Sequence, residues 1–453
     1  MDNLAECSRP KKSKSCSIEY RNNLKSQWAF LPSVVLHQVF DLLDAEDRKN
    51  ASSVCRHWRE SLFHPKWWQS IKFKIEHDNT PKAKFYTTTF GRTATEATIA
   101  LYCLSSHCIH EFILLLRQLH KNNHLTRLVI EPSHCRFDVS DEKDINEIVD
   151  LILGILPRLS AFSLGGLEDL AQYTDCILGT LTPLKVKLLG LASIKDDISN
   201  YEEKHFKLDL ISFYKNLQIL SIDYDQLSDK FLYRLEEAKN LQRLVVHLHA
   251  IPKNHPGTTN LAWKEFKTSH PQCMLRLTVI HANSAIQDLH VEVLRNEMPL
   301  SHFKVFFCES VNIDVLHELS TFYARTLRSV VWIDSLSKYP HSWAIKVSES
   351  PDPFVLMSWL CTQFQELILY GYKYPEENLV AIGRLKGTKM KNLQISSSDI
   401  VSCRVSSATK DIANNLKSAW NPVPSEDLHP VILDPNYGDS DEFLLPFVLA
   451  DLQ

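Results

Sequence analysis

Residues 28–68 read WAFLPSVVLHQVFDLLDAEDRKNASSVCRHWRESLFHPKWW. Leu36, Val39, Phe40 and Leu43 stand at i, i+3, i+4 and i+7, the spacing of one apolar helix face. Pro32 falls where the first turn begins, and its fixed φ suits that place. Asp44 can cap a second helix, with Asp47 adding negative charge to its first turn. Ala51, Val54, Cys55, Trp58 and Leu62 carry the 3.6-residue period onward. The spacing predicts about three small helices, a unit near the size limit for folding alone.

Several of these residues also fall in a recognisable order. Leu31-Pro32, Val35-Leu36-x-x-Val39-Phe40-x-x-Leu43, Asp47-Arg48, Val54-Cys55-Arg56-x-Trp58 and His64-Pro65-x-Trp67 together resemble an F-box. Trp28 matches a tryptophan of some members, whereas Val34-Val35 stands where many have Glu-Leu. The resemblance implies binding to the Skp adaptor, and through it to the cullin and RING subunits of a ubiquitin ligase. It carries the adaptor-binding role onto Trp28, Leu31, Pro32, Leu36, Val39, Phe40, Leu43, Val54, Cys55 and Trp58. Cys55 reads as helix packing, not as a nucleophile.

Downstream, a short pattern recurs. Leu125-Thr-Arg-Leu128-Val-Ile130 is echoed from Leu159, Leu217, Leu241, Leu327, Phe364 and Met390, with weaker copies near Leu184, Leu275 and Phe303. Helical patterns separate the copies over 145–156, 227–238, 311–324 and 353–362. A strand followed by a helix every 25–35 residues, roughly, marks a stacked solenoid. This region resembles leucine-rich repeats, as found in many F-box proteins. The Asn or Cys that closes the family's turn is replaced by Ser133, Leu167, Asp225, His249, Ser335 and Tyr372, so the turns must be satisfied differently.

The expected fold is therefore α/β: a short all-α F-box of three helices, then a leucine-rich-repeat-like solenoid with a parallel sheet. The expected boundaries are a disordered basic arm at 1–25, the F-box at 26–72 and a helical linker or cap at 73–124. The solenoid follows at 125–400 and an acidic, proline-rich segment at 401–453. Within the linker, 96–120 reads as one long helix, on which Cys103 and His107 stand at i, i+4. No CxxC pair accompanies them, so no metal is expected. The run Phe443-Leu-Leu-Pro-Phe-Val-Leu449 is too apolar for a free tail and is a candidate to lie across the solenoid.

At 453 residues with net charge −4, 44% apolar and 23% charged, nothing pulls the whole chain toward nucleic acid or a membrane. Eleven cysteines without a framework point to reduced thiols in the cytoplasm or nucleus. Gly-rich phosphate loops and the G-x-S-x-G elbow are missing, so neither an enzyme nor a cofactor is expected. The resemblance instead implies a substrate receptor of a Skp–cullin–F-box ligase. A protein-binding scaffold without ubiquitin transfer is the alternative. In each repeat the residues between the core leucines face the concave side. That register makes Glu131, Asp223, His247, His249, Ile368, Tyr370 and Tyr372 the expected surface for an unknown protein target.

Overall fold

A computed structural model describes residues 27–138, 142–197, 203, 205–335, 351–401, 408–434 and 436–453. The basic arm at 1–25 lies outside them. The chain divides into two compact units, Met1–Ser70 and Ile71–Gln453.

The first unit holds α1 (Ser33–Asp41), α2 (Ala45–Ala51) and α3 (Arg56–Leu62). The Asp44 carboxylate accepts the Asp47 N–H at 2.8 Å and caps α2. Phe40 is buried, with Trp58 and Trp67 edge-on at 5.8 and 6.0 Å between ring centres. The Leu-Pro opening is tied down from α3. His57 Nε2 bonds the Leu31 carbonyl at 2.7 Å, and Trp58 Nε1 donates to the Trp28 carbonyl at 2.8 Å. The ordered tryptophans and histidine of the sequence are thus what closes this small core.

The second unit is built on one sheet whose strands follow chain order. They are β1 (Ser70–Ile75), β2 (Glu96–Leu101), β3 (Arg127–Pro132), β4 (Ala161–Ser163), β5 (Leu188–Gly190) and β6 (Ile219–Asp223). Then come β7 (Arg243–Leu248), β8 (Met274–Ile280), β9 (Leu300–Phe306), β10 (Ser329–Ile333) and β11 (Glu366–Tyr370). β12 (Tyr374–Pro375) pairs outside the sheet with β14 (Ile400–Val401), and β13 (Asn392–Ile395) is the sheet's twelfth strand. From β2 onward every pairing in this sheet is parallel. Helices such as Glu142–Ile155, Asn260–Ser269 and Ile313–Phe322 connect the strands. Alternation sends Leu244, Val246 and Leu248 of β7 to the helical side, and Arg243, Val245 and His247 to the other.

The linker expectation needs correction. Residues 96–101 are a strand of the main sheet, and the helix starts only at Ser106. Ala97, Ile99 and Leu101 are buried at every second position, a period of two that a helical reading of 99–119 absorbed. Cys103 therefore precedes the helix and shares no face with His107.

The turns, expected to be satisfied without the repeat family's Asn or Cys, use acidic side chains. Asp223, Asp334 and Asp399 accept the backbone N–H of Ser193, Glu309 and Gly371, each at 2.9 Å. Every such bond reaches back to the preceding repeat. Burial pushes the Asp334 carboxyl up to about 7 and the Asp399 carboxyl up to about 6. Gly371 has φ +86°, and a Cβ there would run into the Asp334 carbonyl.

The C-terminal segment returns across the face opposite the helices. Trp420 Nε1 donates to the Leu393 carbonyl at 2.8 Å, and Ser335 Oγ to the Val431 carbonyl at 2.6 Å. Asp441 accepts the Cys135 N–H at 2.7 Å, and a helix runs Asp441–Leu449. Val431, Ile432, Leu444, Leu445, Val448 and Leu452 form one buried cluster with Val245, Ile280, Phe306, Val331 and Ile368 of the strands. Small residues make room for it: a Cβ on Gly190 would stand 2.9 Å from Leu452 Cδ1.

A buried ion cluster ends the segment. Asp451 bonds Arg276 Nη1 at 2.7 Å and Lys304 Nζ at 2.9 Å, with 1% of its side chain exposed. Lys304 also donates to the Phe447 carbonyl at 2.8 Å, and Arg243 to the Asp451 and Gln453 carbonyls at 2.6 and 2.7 Å. Three cations from three adjacent strands thus meet a helix end, where carbonyls are unpaired and the dipole is negative. Burial alone would raise the Asp451 carboxyl, but Lys304 and Arg276 outweigh it and hold it below the usual carboxylate range.

Two outcomes follow for stability. Gly371→Ala should cost about 1–3 kcal/mol in urea unfolding, because the left-handed backbone and the Asp334 carbonyl both oppose a side chain. Asp451→Ala should cost about 3–5 kcal/mol, since it leaves two buried cations unpaired. A depressed folded pKa stabilises above the unfolded value and is lost as pH falls through the folded one. The gap between wild type and Asp451→Ala should therefore be full at neutral pH and close only below about pH 4.

Candidate functional site

In the first unit, the residues expected to touch an adaptor separate by depth. Leu36 and Phe40 are fully buried in the unit's own core. The stripe that reveals α1 is the face it packs inward, so these two support a surface without forming it. Leu31, Val39, Leu43, Cys55 and Trp58 are half-buried, and Pro32 is exposed. Trp28 and Val54 are open to solvent, at 64% and 62%. Sequence reasoning missed Phe30, Val34 and Leu42, which are 69%, 69% and 88% exposed. Val35, also exposed, and Leu42 stand at i, i+7 on the outward side of α1, and that spacing was available in the sequence. A unit this small leaves several large apolar side chains wet.

In the second unit, the expected target-binding residues have the right strand parity but are not open. Asp223 accepts the Ser193 N–H and, at 2.7 Å, the Ser193 hydroxyl, with Lys195 Nζ at 3.4 Å. His247 Nδ1 and His249 Nε2 reach the Ser193 carbonyl at 3.2 and 3.0 Å. Burial lowers both imidazoles, His249 to about 3, so neither carries charge near neutrality. For Asp223, burial opposes ionisation, but the Lys195 ammonium and the hydrogen bond from the Ser193 hydroxyl hold it below the usual carboxylate range. This polar knot closes a turn of the solenoid.

The tyrosines are corrected in the same way. Tyr370 and Ile368 belong to the apolar cluster under the C-terminal segment. Tyr370 bonds Gln394 Oε1 at 2.7 Å, and Tyr372 donates to Asp334. Tyr374 is fully buried and donates to Asp352 at 2.6 Å. None offers a free ring to a partner. Val245, Val331 and Ile368 were the missed signal: they are apolar positions on the supposedly wet face, as in strands buried on both sides.

Glu131, half-buried, lies elsewhere. It pairs with Lys72 at 2.5 Å in a cleft of about 600 Å³, lined also by Tyr102, Pro132, Glu442 and Leu445. Among the described residues, no group of three or more His, Cys, Asp or Glu is placed to hold a metal. Cys103 is buried, and its thiol is pushed up to about 11 by that burial. No described helix is long and apolar enough to cross a membrane.

The F-box-like family matches residues 28–74. F-box only protein 33 of Homo sapiens is 21% identical over 433 residues, covering 82% of this chain and 77% of that one. The Mus musculus protein of the same name is 23% identical over 438 residues, with the same coverage. F-box/LRR-repeat protein 21 of Mus musculus is 40% identical over 53 residues, 12% of each chain. Among solved structures, an internalin from Listeria monocytogenes has 12% identity, covering 76% of this chain and 89% of that one, at a TM-score of 0.28. The chain thus carries an F-box-like domain at residues 28–74 and is similar to F-box only protein 33 over 82% of its length, and its second unit is a solenoid of strand–helix units.

Proposed function

We propose that this chain is the substrate-recognition subunit of a Skp–cullin–F-box ubiquitin ligase. The first unit binds the Skp adaptor, which brings the cullin and RING subunits, and the second unit binds a protein target. One observation carries the adaptor half of the reading. A helical unit of about forty residues buries Leu36 and Phe40 to hold itself together, yet leaves Trp28, Phe30, Val34, Leu42 and Val54 in water. Such residues on so small a unit fit a partner that covers them.

The mechanism is positional. This chain supplies no reacting group. It holds a target lysine near an activated ubiquitin and turns a bimolecular encounter into an effectively intramolecular one. The eight described free cysteines, six of them buried, suit a reducing compartment, and cytoplasm or nucleus is the proposed location.

Pro32→Ala combined with Val54→Glu tests the reading. Both side chains are exposed, so the melting temperature should stay within about 2 °C, as for ordinary surface changes. Co-purification of the Skp adaptor should fall at least about tenfold, the effect of losing roughly 1.4 kcal/mol at an interface centre. Undiminished co-purification would overturn the adaptor assignment. Cullin capture without ubiquitin conjugated to any bound protein would instead favour a scaffold.

A further inference from the structure

We propose that the cleft at the first strands of the second unit docks an apolar peptide segment bearing a lysine or arginine, supplied by the ligase's protein target. The target's role rests on the substrate-receptor reading above; the cleft's chemistry does not.

The location follows from what is already filled. From β4 to β11 the sheet face opposite the helices is covered by the chain's own C-terminal segment. Next to that cover, between β1–β3 and the flank of the Asp441–Leu449 helix, about 600 Å³ stays open. This volume lies within the range of clefts that bury a ligand. Its floor is Ala100, Tyr102 and Pro132, and the helix adds Leu445, Pro446 and Leu449. Apolar side chains of an entering segment would find partners on both sides.

Charge selects the segment. Glu76, Glu131 and Glu442 line the cleft against one cation, Lys72, and the Lys72–Glu131 pair at 2.5 Å neutralises itself. Glu76 and Glu442 are both exposed, leaving net negative charge at the mouth. Lys74 and Arg127 share this side of the sheet but are not among the lining residues. The cations deeper on the face are engaged: Arg276 and Lys304 hold Asp451, and Arg243 holds terminal carbonyls. An acidic or phosphorylated segment therefore meets repulsion here, and a basic one attraction.

The test pans a random displayed-peptide library against the full chain, comparing wild type with Glu76→Lys plus Glu442→Lys. Wild type should enrich peptides carrying Lys or Arg beside apolar residues. A synthesised winner should bind the double variant about tenfold more weakly, as expected for reversing two rim charges. Its Lys→Glu analogue should regain affinity on the variant. Selection without basic enrichment, or equal affinity for both proteins, overturns the proposal. Adaptor and cullin capture are read on the same samples. Their loss with peptide binding intact sinks the ligase reading and leaves the cleft standing, and the opposite pattern does the reverse.

Discussion

Asp451, held between Arg276 and Lys304 with its carboxylate out of water, is the contact on which the second unit depends. A parallel sheet with helices on one side must cover its other side or leave it wet. Here that other side carries Val245, Ile280, Phe306, Val331 and Ile368, too much apolar surface to leave exposed. The C-terminal segment supplies Leu444, Leu445, Val448 and Leu452 to cover it. The ion cluster fixes where the segment ends, because a one-turn slip would strand three cations in a low-dielectric site.

That cover reshapes the functional argument. A solenoid's concave side is the default place to look for a partner. In this chain most of it is already an interior, and the His247–His249–Asp223 knot is part of the turn chemistry of the stack. Among the described residues, the β1–β3 end, with an acidic mouth, and the apolar residues of the helical unit stay exposed. The chain thus offers two chemically distinct surfaces, one apolar and one mixed.

The sequence made much of this legible, for identifiable reasons. Leu128, Leu220, Leu244, Val330 and Leu367 recur with the right local pattern, and each stands in a strand paired in parallel with its neighbours. Asp44 and Asp47 announced the cap of α2. β2 was hidden because Ile99 and Leu101 satisfy a helical period when read together with the true helix beyond them. Leu36 and Phe40 misled because the inward and outward residues of α1 are both apolar, and periodicity alone reports the inward ones. The covered face was missed because parity says which side a residue faces, not what lies on that side. Val331 and Ile368 held the clue, since a strand wet on one face rarely spends branched apolar residues there. The Asp451 cluster had no local signal, as its partners are 175 and 147 residues away.

Native-state hydrogen exchange, read amide by amide, tests the covering segment most directly. If that segment is integral to the fold, amides of Leu444, Leu445, Val448 and Leu449 should open together with those of β6–β9, at one common free energy. Exchange of the segment at near-unprotected rates while those strands stay protected would contradict the account.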